Sequence, residues 1–396
     1  MGVVQSDTNA QNHVVRAHAP SPRRRRTSRE RHVAQTLLDV ADIRLDGDRP
    51  YDMRVHDSRL FRRVLAEGSL GVGDSYVDGW WDCDALDVML TRALTARIDR
   101  RLATPWLWTA LLMARLRNAQ SPRRSFIVGE RYYDLGDNLY RAMLDRRMIY
   151  SCAYWPGARS LDDAQEAKLD LICRKLGLQP GMRVLDIGCG WGGAAQYAAE
   201  RYGVHVTGVT ISRNQAETAR ERCAALPVSI HLTDYRAVTG RFDRIWSVGM
   251  FEHVGVRNYE TYFAVARRLL EPDGLFLVHT IGTNQSTESG DPWIERHIFP
   301  NSMLPSMAQI TRACEPDWVI EDWHGFGPDY DRTLLEWSAN FQTRWPALAG
   351  KYGERFRRLW HYWLMSSAAT FRSRTTQLWQ LVLSRNGVPG GYRAVR

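Results

Sequence analysis

From residue 183 onward, short apolar runs alternate with stretches whose apolar positions recur every three or four residues. The short runs, bounded by glycine or polar residues, predict strands buried on both faces. They are Arg183–Ile187, His205–Val209, Val228–Leu232, Phe242–Val248 and Leu275–Thr280, with Trp318–Glu321 and Gln377–Ser384 as further candidates. The stretches between carry helical spacing. One is Tyr259–Leu270, which should stop at a turn formed by Glu271-Pro272-Asp273-Gly274. Strand and helix in alternation predict an α/β fold: a doubly wound, mostly parallel sheet of up to seven strands with helices on both faces. Upstream, helical spacing recurs at Val33–Val40, Arg59–Leu65 (ended by Gly68) and Leu86–Leu102. The chain therefore divides into a disordered basic tail (1–32), a small, mainly helical domain (33–120) and an α/β catalytic domain (121–396), with the boundary near Asn118–Arg124.

The first strand of the α/β region ends in Asp186 and runs into Gly188, Gly190 and Gly192 before a helix. Glycines without a Cβ let a ligand approach the backbone, and the helix that follows aims free N–H groups into the same space. A dinucleotide site wants an acid at the end of the second strand, about 20 residues on. Here that strand ends in Thr210-Ile211-Ser212. With the acid before the first glycine instead, the pattern favours S-adenosylmethionine over a nicotinamide cofactor. The glycines should face its methionine end, and Asp186 should meet the methionine ammonium or fix the loop.

Composition narrows the partner. The net charge is +9, carried almost wholly by arginine; Lys168, Lys175 and Lys351 are the only lysines. This excess, with Arg23-Arg24-Arg25-Arg26 in the tail, suits an anionic partner, lipid surface or nucleic acid. Base methylation brings its own motifs, and no Asn-Pro-Pro-Tyr-like segment follows the fourth strand, so nucleic acid is not the expected substrate. No apolar run reaches the ~20 residues of a membrane span. The segment Pro105–Leu116, rich in tryptophan and flanked by arginines, fits either a lipid interface or a core helix. The six cysteines show no C-x-x-C spacing, which predicts free thiols in a reducing cytoplasm and no metal site.

Several blocks, in order, resemble one family. They are Gly68–Tyr76, Asp78-Gly79-Trp80-Trp81-Asp82, Tyr150–Trp155, the glycine loop with Thr210-Ile211-Ser212, Gly249–Gly255, His279-Thr280-Ile281-Gly282, Asp322-Trp323-His324 and Asp329-Tyr330. Together they resemble the cyclopropane-fatty-acyl-phospholipid synthases, from about residue 33 onward. The resemblance implies a seven-stranded methyltransferase sheet and a cytoplasmic enzyme peripheral to the inner face of the membrane, working as a homodimer. It implies conversion of a cis double bond in a phospholipid acyl chain into a cyclopropane, using S-adenosylmethionine and a bound bicarbonate ion. On matching positions, Glu252 and His279 would hold bicarbonate through side chains, Tyr330 through its hydroxyl, and Cys152 and Ile281 through main-chain donors. Thr210, Ile211 and Gln215 would hold ribose and adenosine, Asp234 and Tyr235 would neighbour the adenine, and Tyr150 and Ser151 would fold over the methionine end.

The chemistry asks for such a set. Methyl attack on an alkene leaves a carbocation, which must lose a proton to a weak base before water traps it. An apolar, aromatic site with one base suits that step. The same cation, losing another proton or being reduced, gives a methyl-branched or methylene fatty acid, and that alternative stays open. The chain departs from the family at Tyr132-Tyr133-Asp134-Leu135-Gly136-Asp137-Asn138, where the first Tyr replaces a His and the final pair is swapped. It also carries Ser367 where some members have a cysteine.

Overall fold

The computed structural model describes residues 22–98, 136–315 and 317–396. The segment Pro105–Leu116, the expected domain boundary and Tyr132–Leu135 lie outside the described residues. A first helix, α1 (Pro22–Asp39), begins inside the stretch read as tail. A proline near its start and arginines that favour helix extend it upstream of Val33.

Three further helices follow: α2 (Arg59–Glu67), α3 (Ser69–Val77) and α4 (Leu86–Thr95). A two-stranded antiparallel ribbon, β1 (Arg54–Val55) with β2 (Trp81–Asp82), ties them together. Asp52, fully buried, organises the turn before β1. Its carboxylate accepts from the Arg44 and Arg49 N–H groups and from the Arg49 guanidinium. Those bonds hold its pKa at about 2 against an ordinary 3.8. The stability Asp52 contributes is thus complete above 3.8 and lost as pH falls to about 2. Asp52→Asn should lower the thermal midpoint at neutral pH and flatten its fall across that acid window. Unchanged acid melts would refute this.

These helices do not close on a core of their own. Ile43, Phe61 and Trp81 share one buried cluster with Tyr140, Trp337 and Trp363. The shared wall is the long helix α12 (Pro328–Arg372), which follows α9 (Tyr259–Leu269), α10 (Pro292–His297) and α11 (Met307–Cys314) in the chain. This helix is broken at Gly353, where φ is 74°, and carries Pro346 inside it.

The α/β region opens with α5 (Asp137–Met143) and α6 (Leu161–Lys175). Ser160 caps α6 by accepting from the Asp163 N–H. A seven-stranded sheet follows: β3 (Arg183–Ile187), β4 (His205–Thr210), β5 (Val228–Leu232), β6 (Phe242–Val248), β7 (Leu270–Thr283), β8 (Val319–Gly325) and β9 (Thr376–Ser384). Its order is β5-β4-β3-β6-β7-β9-β8. Strands up to β7 are parallel, and β9 lies antiparallel between β7 and β8. This is the mostly parallel α/β sheet the alternation implied.

One local expectation fails. Glu271–Gly274 is no free turn but an irregularity inside β7, between the pairs Phe242↔Leu270 and Arg244↔Leu275. Glu271 is held by Arg183 at 2.8 Å, and a Cβ on Gly274 would stand 2.6 Å from the Leu270 side chain. Packing there keeps the segment against the sheet, where its composition alone says turn. The chain reverses order between β3 and β6, which places the ligand crevice over their carboxyl ends.

Candidate active site

A cavity occupies that crevice. It is lined from β3 and its glycine loop by Asp186, Gly188 and Gly190, from β4 by Thr210 and Ile211, and from β6 by Val248 and Gly249. Tyr150, Ser151, Gln215, Asp234 and Tyr235 complete the expected set around it. Gly188 has φ +86° and would bring a Cβ within 2.9 Å of the Met250 side chain; Gly190 has φ +54° and open space beyond it. Only glycine makes this turn without strain, and the open face leaves backbone for a ligand. Helix α7 (Gly193–Tyr202) starts immediately after, with its N-terminus at the loop.

Gly192 does not face the cavity as expected. A Cβ there would stand 3.0 Å from Ala219 and 3.3 Å from Cys223, on α8 (Arg213–Cys223). Its absent side chain serves close packing of the loop on that helix, not ligand approach. Asp234 is also more committed than expected. It caps a short turn through the Arg236 N–H and holds the Arg236 guanidinium at 2.8 and 2.6 Å. At the rim, buried Thr210 Oγ1 donates to Gln215 Oε1 at 2.9 Å, a neutral pair where a dinucleotide fold would keep an acid.

Asp186 is buried beneath the loop, and burial raises its carboxyl to about 7. Its Oδ2 has no partner. Lys168, on α6, also lines the cavity and was not anticipated. Its signal was present: in a chain with 53 lysines and arginines, lysine at this place is a rare choice.

None of Glu252, His279, Tyr330, Cys152 and Ile281 lines this cavity. They gather beside it. Cys152 follows Ser151, Gly249 N–H donates to the His279 carbonyl, and Glu252 lies just past Met250. Glu252 and His279 come from neighbouring strand ends, since Val248 of β6 pairs with His279 of β7. Both are buried. Glu252 Oε1 accepts from the Ile281 N–H at 2.7 Å, while Oε2 has no partner. Burial raises this carboxyl to about 7 against the opposing N–H. The Ile281 donor, read as free for an anion, is thus already engaged, and Ile281 bears on the site through Glu252.

His279 Nδ1 meets the Gln380 side-chain amide of β9 at 3.2 Å, and its Nε2 has no partner. Burial, then Lys168 and Lys175, hold this imidazole neutral, well below the usual range. Cys152 is fully buried, its thiol pushed far up by burial, and Sγ donates to the Ala153 carbonyl at 3.1 Å. It is no nucleophile. The first two turns of α12 clamp the segment after it: Asp329 accepts from Trp155 N–H at 2.8 Å and Thr333 from Ala153 N–H at 3.2 Å. The first of these turns carries Tyr330, stacked on Phe371 at 4.6 Å.

Aromatic rings surround the group. Tyr150 contacts Trp337, Trp363 and Phe299 at 5.4, 6.0 and 6.4 Å between centroids. His279 meets Phe326 at 5.8 Å. Two buried, unpartnered polar atoms, Glu252 Oε2 and His279 Nε2, therefore face an apolar neighbourhood next to the cavity. Among the described residues no cluster suits a metal ion, all six cysteines are free, and no helix is long and apolar enough to cross a membrane.

Residues 120–381 match the model of the mycolic acid cyclopropane synthetase family. The chain is 53% identical over 365 residues to the cyclopropane-fatty-acyl-phospholipid synthase of Escherichia coli K12, covering 92% of this chain and 95% of that one. It is 34% identical over 355 residues to a tuberculostearic acid methyltransferase of Mycobacterium tuberculosis, covering 83% and 82%. Its fold superposes on mycolic acid cyclopropane synthase CmaA1, solved with SAH and CTAB, at TM-score 0.62 and 33% identity, covering 66% of this chain and 98% of that one.

Proposed function

The chain belongs to the mycolic acid cyclopropane synthetase family, and from that premise we propose that it converts the cis double bond of an acyl chain in membrane phospholipid into a cyclopropane ring. The observation that carries the reading is the buried pair Glu252 Oε2 and His279 Nε2, both short of partners, beside the cofactor cavity. That deficit fits a small oxyanion. Glu252, His279, Tyr330 and Cys152 would hold bicarbonate, with Ile281 fixing Glu252. When bound, S-adenosylmethionine supplies an electrophilic methyl group and bicarbonate a weak base.

The residues of the chain do the rest. A protonated Glu252 and a neutral imidazole favour an anion between them, since neither repels it. The rings of Tyr150, Trp337, Trp363 and Phe299 offer faces to a developing cation and keep water from it. Asp186 with the loop glycines would hold the methionine end, and Thr210, Ile211, Gln215 and Tyr235 the nucleoside. The homodimer and the cytoplasmic, inner-face location implied by the resemblance belong to this proposal.

Liposomes of unsaturated phospholipid with methyl-labelled S-adenosylmethionine test it. Labelled cyclopropane in the recovered fatty acids is expected. Label in a branched or methylene product would move the function to the second reading, which the likeness to a tuberculostearic acid methyltransferase keeps in view. Transfer to no lipid, with the cofactor still bound, would refute both.

Asp186 adds a pH dependence. Its carboxyl sits at about 7 when buried, and holding an ammonium needs the carboxylate. Affinity for S-adenosylmethionine should therefore fall as pH drops below about 7, by about tenfold per unit at most. Binding should release a proton there, read by calorimetry in buffers of different ionisation heat. Asp186→Asn should weaken binding and remove the slope. A slope that survives the substitution would assign it to another group.

A further inference from the structure

Helix α6 carries two buried lysines on one face, and their surroundings differ. Lys175 Nζ stands 3.2 Å from Asp322 Oδ2 and 3.2 Å from His324 Nδ1, a buried cation with its counter-charge. Lys168, fully buried two turns earlier, donates one hydrogen bond, to Ser151 Oγ at 2.8 Å. Among the described residues no carboxylate stands within ion-pair distance of it. An ammonium has three protons to give, and a buried one with a single neutral acceptor is costly to keep.

Lys168 also lines the cavity, and so does Asp186, whose Oδ2 is buried without a partner. One cavity thus holds a cationic and an anionic group, neither of them in an ion pair. An α-amino acid zwitterion brings both. We propose that Lys168, together with Ser151, holds the α-carboxylate of the methionine end of S-adenosylmethionine, opposite the ammonium site at Asp186. Ser151 Oγ accepts from Lys168, which leaves its own O–H proton to donate to the carboxylate. The ammonium fixes that hydroxyl and supplies the charge. Burial pulls Lys168 down to about 8, with Asp145, Cys152 and Asp186 acting against it, so the group is still mainly protonated at neutral pH.

The inference rests on the cofactor reading, and ligands cut at one group separate the two. S-adenosylhomocysteine, its decarboxylated analogue and 5′-methylthioadenosine would be titrated by calorimetry into the unmodified chain and into Lys168→Met. The unmodified chain should prefer the intact ligand over the decarboxylated one by about 10- to 100-fold, the range of a charge-assisted hydrogen bond. Lys168→Met should bind those two within about threefold of each other. It should bind 5′-methylthioadenosine as the unmodified chain does, showing the nucleoside half intact. A preference undiminished in Lys168→Met, or no preference in the unmodified chain, would overturn the assignment. If Lys168→Met does not fold, Ser151→Ala takes its place, with a reduced preference expected and an undiminished one overturning it. Failure of the unmodified chain to bind S-adenosylhomocysteine at all would overturn the cofactor reading and this one with it.

Discussion

Glu252→Ala should lower turnover by about 100- to 1,000-fold, the usual cost of losing a group that acts on the reacting centre, while cofactor affinity should stay within about threefold. The separation follows from placement. Glu252 does not line the cofactor cavity, yet it supplies the unpartnered Oε2 beside His279 and occupies the Ile281 N–H. Removing it leaves that N–H without an acceptor, at about 1–3 kcal/mol. It also removes a buried carboxyl half-satisfied in place, so the net change in thermal midpoint is small. The measurements are initial rates on unsaturated liposomes, cofactor titration and a melt. Loss of cofactor binding in step with turnover would show that Glu252 shapes the cavity and would remove it from the centre.

Gly193→Ala should damage stability and cofactor affinity together. A Cβ at Gly193 would stand 2.2 Å from the Arg147 carbonyl oxygen and 2.7 Å from Ile149 Cδ1. The segment it strikes is well tethered. Asp145 accepts from the Arg147 and Ile149 N–H groups at 2.9 and 2.8 Å. Arg147 is paired with Glu166 at 3.0 Å and Glu200 at 3.1 Å. Backbone so held yields only by breaking those bonds, an overpacking cost of about 1–3 kcal/mol. The same segment continues into Met148, Ile149 and Tyr150, which line the cavity. Affinity for S-adenosylmethionine should fall by about tenfold, on the order of one lost hydrogen bond. Gly350→Ala is the control: nothing lies within 4 Å of its Cβ, its φ is ordinary, and it sits in α12. It should raise stability by about 0.5–1 kcal/mol. Equal effects from the two substitutions would refute the packing argument.

The strands were readable because a sheet covered on both faces writes itself as apolar runs, and β3, β5 and β6 lie where those runs lie. Residues that depend on distant register were less readable. Nothing local says that Gln380 will face His279, or that Glu252 will take the Ile281 N–H. Gly192 was misplaced because one spacing of glycines serves two purposes, ligand approach at Gly190 and helix packing at Gly192. Lys168 was visible as a rare residue type but had no meaning until burial gave it one. The Glu271–Gly274 segment has the composition of a turn, and only the Arg183 pairing and the tight seat of Gly274 against Leu270 make it part of β7.

The placement of β9 makes the candidate centre depend on a late segment of the chain. Every residue of this strand is buried, and it fills the space between β7 and β8 although it is translated after both. A nascent chain that has not yet produced residues 376–384 holds β7 with an open edge and His279 without Gln380. Until then β8 has no neighbour in the sheet. The centre is therefore complete only once residues 376–384 have joined the sheet, and a polypeptide lacking them presents an open, apolar sheet edge. A chain cut before residue 376 should therefore be inactive and prone to edge-to-edge association, however intact the glycine loop and the rest of the cofactor cavity.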